Sequence, residues 1–136
     1  METSKQQEMQ QKYLELQMLE QQMKQYQKQA QMLESQLTEL ATLDNALDEL
    51  SKTKPGTETL VSLGPGIFTK AELKDNKEVV VNVGSSVAVK KDVPSTKELI
   101  NKQVEELKRL QQQSIEELQR LSLHAKVIEQ DISKNV

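Results

Sequence analysis

The residues that could do chemistry in this chain are few, and the first of them form a glycine-rich loop. The segment Gly64-Pro65-Gly66-Ile67-Phe68-Thr69-Lys70 combines glycines with a threonine and a lysine, the residue types that bind nucleotide phosphates. A phosphate-binding loop follows the pattern GxxxxGK[ST] and leads into a helix N-terminus, and this segment does neither. The glycines therefore predict a hairpin turn.

Acid–base and metal chemistry also lack suitable partners. His124 is the only histidine and there is no cysteine, which in practice excludes a zinc site. The pairs Glu105-Glu106 and Glu116-Glu117 are adjacent in sequence, so in a helix they point in different directions and form no acid–base dyad. We interpret His124 as an exposed helical residue and the glutamates as solvated charge. The sequence predicts no catalytic, cofactor-binding or metal-ligating residue, and therefore no enzyme.

Composition and charge exclude several other classes of protein. Aromatic residues make up 2% of the chain and charged residues 29%, which is too little bulky apolar volume for an ordinary globular core. The net charge of −3 is spread out, with no basic stripe for nucleic acid. No apolar run approaches the roughly 18–20 residues that span a bilayer. With no cysteine and a polar N-terminus, we expect a soluble, cytoplasmic protein with no membrane partner.

Two segments repeat apolar residues every three or four positions, which is the pattern of a helix packed along its length against another helix. The first segment contains Met9, Leu16, Leu19, Met23, Tyr26, Ala30, Leu33, Leu37, Leu40 and Leu47. The second contains Ile100, Val104, Leu107, Leu118, Leu121, Ala125, Ile128 and Ile132. We call each apolar stripe a seam.

Several residues disturb these seams. Lys12 and Asp44 interrupt the first, and we expect a one-residue slip near Leu40 that brings Leu43, Leu47 and Leu50 onto the stripe. Gln111 and Ser114 fall on the second seam. They are either a register mark or flexible section, or an ordinary imperfection of a coiled coil.

The helix boundaries carry their own signals. Thr3 or Ser4 is expected to cap the first helix, which runs to about Ser51 and stops before Pro55-Gly56. Ser95-Thr96-Lys97-Glu98 matches the capping-box pattern and predicts a second helix from Ser95 to about Ser133. These signals divide the chain into an N-terminal coiled-coil helix (1–54), a β region (55–94) and a C-terminal coiled-coil helix (95–136).

The β region contains four short strands. They are predicted at Thr59–Leu63, Ile67–Leu73, Val79–Val83 and Val87–Lys90, separated by turns rich in glycine, serine or polar residues. The fold class is therefore mainly α: a long antiparallel two-helix coiled coil with a small four-stranded, two-hairpin β element at its hinge.

Such a β element is too small to be stable alone. Domains below about 40 residues rarely bury enough surface without metals, disulfides or partners. Unpaired strand edges are also templates for further strands. We therefore predict an obligate oligomer in which β elements of several subunits join. The expected oligomerisation residues are Leu63, Ile67, Phe68, Ala71, Leu73, Val79, Val81, Val83, Val87 and Val89.

The stretch from Thr59 to Asp92 also resembles a known family. Its segments Ala71-Glu72-Leu73-Lys74-Asp75 and Val81-Asn82-Val83-Gly84, between two long helices, are similar to the β region of prefoldin α-class subunits, particularly those of archaea. Two hairpins favour the α class over the β class. Family members often have aromatic residues after that last glycine, where this chain has Val87-Ala88-Val89.

The resemblance implies a function and a set of partners. It implies an ATP-independent holdase chaperone without cofactors, in a hexamer of two α-class and four β-class subunits. Non-native client proteins would be held between the tips of the coiled coils and passed to a group II chaperonin. A structural subunit that forms filaments or homo-oligomers is the main alternative, and a nucleic-acid adaptor is a third.

Client binding at the tips would use apolar side chains that the coil leaves partly exposed. Pairing the helices outward from Pro55 and Pro94 places Ile132 near Leu16 or Gln17, so residues before about Tyr13 are expected to overhang. The candidate client-binding residues are Met9, Tyr13, Leu16, Ile128 and Ile132. Alternatively, these residues are only the last layers of the coil.

Overall fold

A computed structural model describes residues 2–134 of the chain. It contains two long helices with four strands between them. The elements are α1 (Glu2–Lys52), β1 (Glu58–Gly64), β2 (Ile67–Glu72), β3 (Glu78–Gly84), β4 (Val87–Asp92) and α2 (Val93–Lys134). The predicted fold class is confirmed. Thr3 and Ser4 already lie inside α1, so the prediction that one of them caps this helix is wrong.

The chain divides into two compact units, and each contains parts of both helices. We call residues 2–37 with 106–134 the terminal unit, and residues 38–105, which include all four strands, the central unit.

The terminal unit is held together by the two seams. Leu121 is the most buried residue of its core, at 2% exposure, and the other buried members are Leu19, Ala125, Ile128 and Ile132. The helices are antiparallel, because Glu15 contacts His124 whereas Glu34 contacts Gln111. Met9 also packs against this core. The prediction that residues before Tyr13 overhang is therefore wrong at Met9, where the pairing continues.

The central unit has an apolar core of its own. Leu47, Val93 and Ile100 are buried, and Leu40, Leu50, Val79 and Val104 pack against them. Of the three residues that the predicted slip placed on the stripe, Leu47 and Leu50 lie there, whereas Leu43 is 45% exposed, so the prediction is wrong at Leu43. The heptad spacing runs through the half-buried Asp44 instead.

Asp44 is tolerated on the seam because a lysine from α2 reaches it. The Lys97 ammonium lies 3.8 Å from Asp44 Oδ1 and also contacts Asp48. The hydrogen bond to Asp48, followed by the negative charge of Asp44, raises the pKa of Lys97. A polar pair at a seam position disfavours other registers, in which one charge would face apolar side chains.

Two polar residues on the second seam are accommodated differently. The Gln111 amide donates a hydrogen bond to the Glu34 carboxylate across the helices at 2.7 Å. Ser114 is buried, at 4% exposure. The contact made by Gln111 supports the interpretation of this position as a register mark.

The start of α2 differs from its prediction. Asp92 precedes the helix, and its Oδ1 accepts a hydrogen bond from the Ser95 backbone N–H at 2.8 Å. The Thr96 hydroxyl donates to the Asp92 carbonyl. Asp92 is therefore the N-cap residue, and the prediction of Ser95 as the cap is wrong by three positions. A carboxylate at this end also interacts favourably with the helix dipole.

The cap makes stability depend on pH in a defined direction. The Ser95 side chain, followed by its backbone N–H, lowers the pKa of Asp92 from 3.8. The cap's contribution is therefore complete above the unfolded-state pKa and is lost as the pH falls through the lower folded-state value. We expect Asp92→Ala to lower the midpoint of thermal unfolding at neutral pH, and this difference from the native chain to shrink on acidification.

Asp92→Asn is the matched control for this prediction. Asparagine caps helices about as well as aspartate but does not titrate. It should keep the stability of the native chain at neutral pH and change less on acidification, as followed by circular dichroism. An Asp92→Ala deficit that stays constant down to acid pH would contradict the assignment of the cap.

The two hairpins repeat one another. In the first, β1 pairs antiparallel with β2, and the register shifts between Ser62 and Gly64. In the second, β3 pairs antiparallel with β4, and the register shifts at the equivalent place, between Asn82 and Gly84. Each shift leaves one extra residue, Leu63 or Val83, in the ladder, and such bulges bend and twist a hairpin locally.

The turns of the two hairpins contain different residues with positive φ. Gly66 has a φ of +73°, which glycine adopts without strain. In the second hairpin Ser85 and Ser86 have φ values of +48° and +63°. Two consecutive residues with positive φ define the turn that matches the twist of a hairpin, although serine adopts this conformation less readily than glycine.

Candidate functional surfaces

The first hairpin exposes apolar side chains on both faces. The pairing of Ser62 with Phe68 places Phe68 on the same face as Leu60, and both are more than half exposed, at 57% and 63%. The opposite face carries Val61 and Ile67, at 45% and 61%. A two-stranded hairpin with two exposed apolar faces has no core of its own, so it requires further surfaces to cover it.

The second hairpin is partly covered by the helices. Val79, Val81 and Val89 share one face, and Val79 packs against the helical core of the central unit. Val79 and Val81 are half-buried, whereas Val89 remains 41% exposed. The two hairpins therefore differ. Among the described residues, a valine of the second hairpin packs against this helical core, and no residue of the first hairpin does.

Each hairpin is a separate two-stranded sheet, and within residues 2–134 neither sheet gains a third strand. Both strands of each hairpin thus have an outer edge whose backbone groups are not paired by another of the described strands. Such edges accept strands from other molecules. One ion pair on the first hairpin, Lys70 with Glu58 at 3.6 Å, is highly exposed and offers little protection to the edge.

The predicted oligomerisation residues divide into two groups by exposure. Ala71, Leu73, Val79 and Val81 are half-buried within the chain. The exposed ones are Leu63, Ile67, Phe68, Val83, Val87 and Val89. The bulge residues Leu63 and Val83 are among the most exposed apolar side chains of the hairpins, at 70% and 61%. Their role in assembly stays a prediction.

Three further exposed residues were missing from that prediction: Leu60, Val61 and Val80. Each lies in the middle of a strand that places apolar residues on both of its faces. The signal was present, because β1 and β3 contain consecutive apolar residues where a strand with one buried face would alternate.

The predicted client-binding residues are placed differently from one another. Ile128 and Ile132 are buried in the seam, at 6% and 8% exposure, so the expectation of partial exposure is wrong for them. Met9 and Leu16 are half-buried against the same core. Tyr13 is 50% exposed. Of the five residues, Tyr13 is therefore the most accessible.

Other apolar residues of the terminal unit face outward. Leu14 and Met18, one turn apart on α1, are 60% and 62% exposed. Leu123 and Val127, one turn apart on α2, are 66% and 56% exposed. We call these two the outer pairs. The two residues of each pair are four positions apart and lie off the seam. This spacing is the sequence signal that could have identified them.

Three ion pairs of the helices lie at the surface. Arg109 with Glu106 and Arg120 with Glu117 are ion pairs within one turn of α2, and hydrogen bonding to arginine lowers the pKa of each glutamate. His124 Nε2 lies 3.4 Å from Glu15 Oε1 at the surface. The described residues contain no cluster of three potential metal ligands.

The glycine-rich segment has the conformation that was predicted for it. Gly64 ends β1, Pro65-Gly66 forms the turn, and Thr69 and Lys70 lie on β2. No helix N-terminus follows the turn, so no cradle of backbone amides for a phosphate is formed there. Among residues 2–134, neither helix combines the length and apolar character needed to cross a membrane.

Comparison with known proteins agrees with this architecture. The sequence model described as prefoldin subunit matches residues 19–136. The prefoldin subunit alpha of Methanobrevibacter smithii is 44% identical over 71 residues, which cover 52% of this chain and 48% of that protein. That alignment thus spans about half the length of its relative. The prefoldin subunit alpha of Methanococcus aeolicus is 28% identical over 130 residues, which cover 96% of this chain and 88% of that protein.

A solved structure has the same fold. The cryo-EM structure of filamentous PFD from Methanocaldococcus jannaschii superposes with a TM-score of 0.75 at 15% sequence identity, covering 85% of this chain and 95% of that chain. At this identity the likeness shows the fold alone.

Two helices that pack through a heptad seam, with two β-hairpins between them that expose apolar side chains, define a coiled-coil protein with a β-hairpin insertion. The chain belongs to the prefoldin subunit family, and its relatives place it in the alpha class. Subunits of this family form oligomers with other prefoldin subunits and have a general role as chaperones.

Proposed function

We propose that this chain is the alpha-class subunit of an ATP-independent holdase in the cytoplasm. It would assemble as two copies with four beta-class prefoldin subunits, bind non-native proteins through the terminal unit, and release them to a group II chaperonin. The observation that carries this proposal is the surplus of exposed apolar side chains at two places: both hairpins and the outer faces of the terminal helices.

The hairpins supply the assembly part of the proposal. Leu60, Ile67 and Phe68 remain exposed in the single chain, next to strand edges that other subunits could extend. Burying an apolar side chain contributes about 1.5–3 kcal/mol, so these residues favour association, and pairing of the strand edges would add to the interface. Beta-class subunits are the proposed partners because they would bring hairpins with matching edges.

The terminal unit supplies the client-binding part. The four residues of the outer pairs are each more than half exposed, and Met18 adds a flexible thioether that adapts to irregular partners. Two side chains one turn apart are a small contact, well below the roughly 800 Å² per partner of a stable interface. Such contacts suit a client that is held weakly at several sites and released without nucleotide hydrolysis.

We expect the outer pairs to control client retention. Replacing all four residues, Leu14, Met18, Leu123 and Val127, by serine should lower the retention of a denatured client by on the order of tenfold, since partial burial of each contributes a fraction of its full transfer free energy. The measurement is light scattering of an aggregating client at increasing concentrations of the assembled complex.

Lys24→Ser with Lys28→Ser is the control for this prediction, because these lysines are also one turn apart on α1 and are exposed. It should leave both protection and assembly unchanged. Full protection by the quadruple variant, in a complex of native mass, would remove the outer pairs from client binding.

A homo-oligomer or filament is the second candidate. The repeated hairpins leave strand edges on both sheets, which copies of the same chain could pair as readily as a different subunit could. The structure described as filamentous PFD shares the fold. Mass measurements separate the candidates: a single defined mass in the presence of a beta-class subunit supports the holdase, and an open-ended series of masses from this chain alone supports the filament.

A further inference from the structure

The short connector between the hairpins, residues 73–77, contacts the ends of both helices. The Gly56 N–H donates to the Leu73 carbonyl at 2.6 Å, and the Leu73 N–H donates to the Thr57 carbonyl at 3.0 Å. At the other end of the connector, the Val93 N–H donates to the Lys77 carbonyl at 2.9 Å. The connector is thus bonded to the segment that leaves α1 and to the first residue of α2.

One side chain of the connector completes this arrangement. Asn76 Nδ2 donates a hydrogen bond to the Thr53 carbonyl at 3.0 Å and lies 3.5 Å from the Ser51 carbonyl. Ser51 lies in the last turn of α1 and Thr53 directly follows the helix, at the end where a helix leaves its last carbonyl acceptors without partners of its own. Asn76 supplies a donor there from more than twenty residues further along the chain.

The chemistry of this position selects a neutral amide. The end of α1 carries the partial negative charge of the helix dipole, so a carboxylate at residue 76 would be repelled and would have no hydrogen to donate. The neighbouring Asp75 makes a different contact, since its Oδ1 accepts a hydrogen bond from the Lys77 backbone N–H at 2.8 Å.

We propose that Asn76 is a positioning residue for assembly: its amide holds the connector against the end of α1 and so fixes the direction in which both hairpins leave the helices. This inference rests on the proposed function, because the hairpins are taken to be the assembly surface. Without the amide, the hairpins keep their internal ladders but lose a fixed orientation. Ordering the hairpins during association then costs conformational entropy and weakens the complex.

The test compares Asn76→Asp with Asn82→Asp. Both substitutions add one negative charge at nearly constant shape. Asn82 uses its oxygen, which accepts from the Gly84 N–H at 2.9 Å, and an aspartate keeps this acceptor. Asn76 uses its nitrogen, which an aspartate lacks. Hydrogen exchange of the isolated chain and titration of the labelled chain with a beta-class subunit give the two readouts.

In Asn76→Asp we expect the amides of Gly56, Leu73 and Val93 to exchange about tenfold faster than in Asn82→Asp, with the helix content unchanged by circular dichroism. We also expect assembly to require about tenfold more of the beta-class subunit. Asn76→Ala, which adds no charge, should move both readouts in the same direction by a smaller amount.

Equal exchange in the two aspartate variants would overturn the proposal, and so would faster exchange with unchanged assembly. A native chain that fails to assemble with beta-class subunits would contradict the proposed function instead. In that case the exchange comparison still decides whether Asn76 holds the connector.

Discussion

Phe68→Ser is expected to weaken assembly by about tenfold to a hundredfold while the chain keeps its helix content. Phe68 is the only phenylalanine of the protein, is 57% exposed in the single chain, and has the exposed Leu60 on the same face of its hairpin. Burial of a large apolar side chain at an interface contributes about 1.5–3 kcal/mol, and each 1.4 kcal/mol corresponds to tenfold in affinity. The measurement is sedimentation of mixtures with a beta-class subunit over a range of concentrations.

Leu123→Ser is the matched control, since Leu123 is similarly exposed, at 66%, but lies on α2 in the terminal unit. It should assemble like the native chain. If Phe68→Ser and Leu123→Ser assemble equally well, the first hairpin is not part of the interface, and a different surface of the chain must hold the subunits together.

Leu121→Ala is expected to destabilise the terminal unit by about 2–5 kcal/mol. Leu121 is 2% exposed and lies in a core with only four other buried residues among those described. Two helices have few layers to compensate for a cavity, so the loss of one large side chain removes a substantial part of the packing. Urea denaturation followed by the helical signal gives the free energy of unfolding.

Leu123→Ala is the control for Leu121→Ala, because it truncates the same type of residue two positions further along α2. Because Leu123 points outward, its truncation should change the free energy of unfolding by no more than about 0.5 kcal/mol. Equal destabilisation by the two substitutions would contradict the assignment of the seam to Leu121.

The sequence was sufficient to predict the elements of the fold because each is specified by a local pattern. The heptad spacing identifies the two helices, and Pro55-Gly56 ends the first. The glycines at 64, 66 and 84 and the serines at 85 and 86 mark the turns of the hairpins. Each strand boundary of the structure lies within two residues of its prediction, since these signals act over only a few positions.

The errors occurred where competing local patterns are equally plausible. Ser95 fits a capping box, but Asp92 places its carboxylate on the Ser95 amide and starts the helix earlier. Leu43 is a better seam residue than Asp44 by hydrophobicity alone. Asp44 lies on the seam because Lys97 of the other helix contacts it, and this contact depends on the antiparallel register.

The candidate site was predicted less completely than the fold. An apolar residue on a seam is buried by the partner helix, so Ile128 and Ile132 are not accessible, whereas the outer pairs are. Periodicity distinguishes these two sets once the seam is assigned. The role of Asn76 could not be predicted, because its partners Ser51 and Thr53 are distant in sequence and are brought close only by the folded connector.

The central claim is that the hairpins of this chain are completed by other subunits. Native mass spectrometry of the chain alone, and mixed with an archaeal beta-class prefoldin subunit, tests it most directly. We expect one dominant complex of two copies of this chain with four beta-class subunits, with the hairpin amides protected from exchange only in the complex. A chain that stays monomeric at every mixing ratio, with those amides already protected, would contradict it.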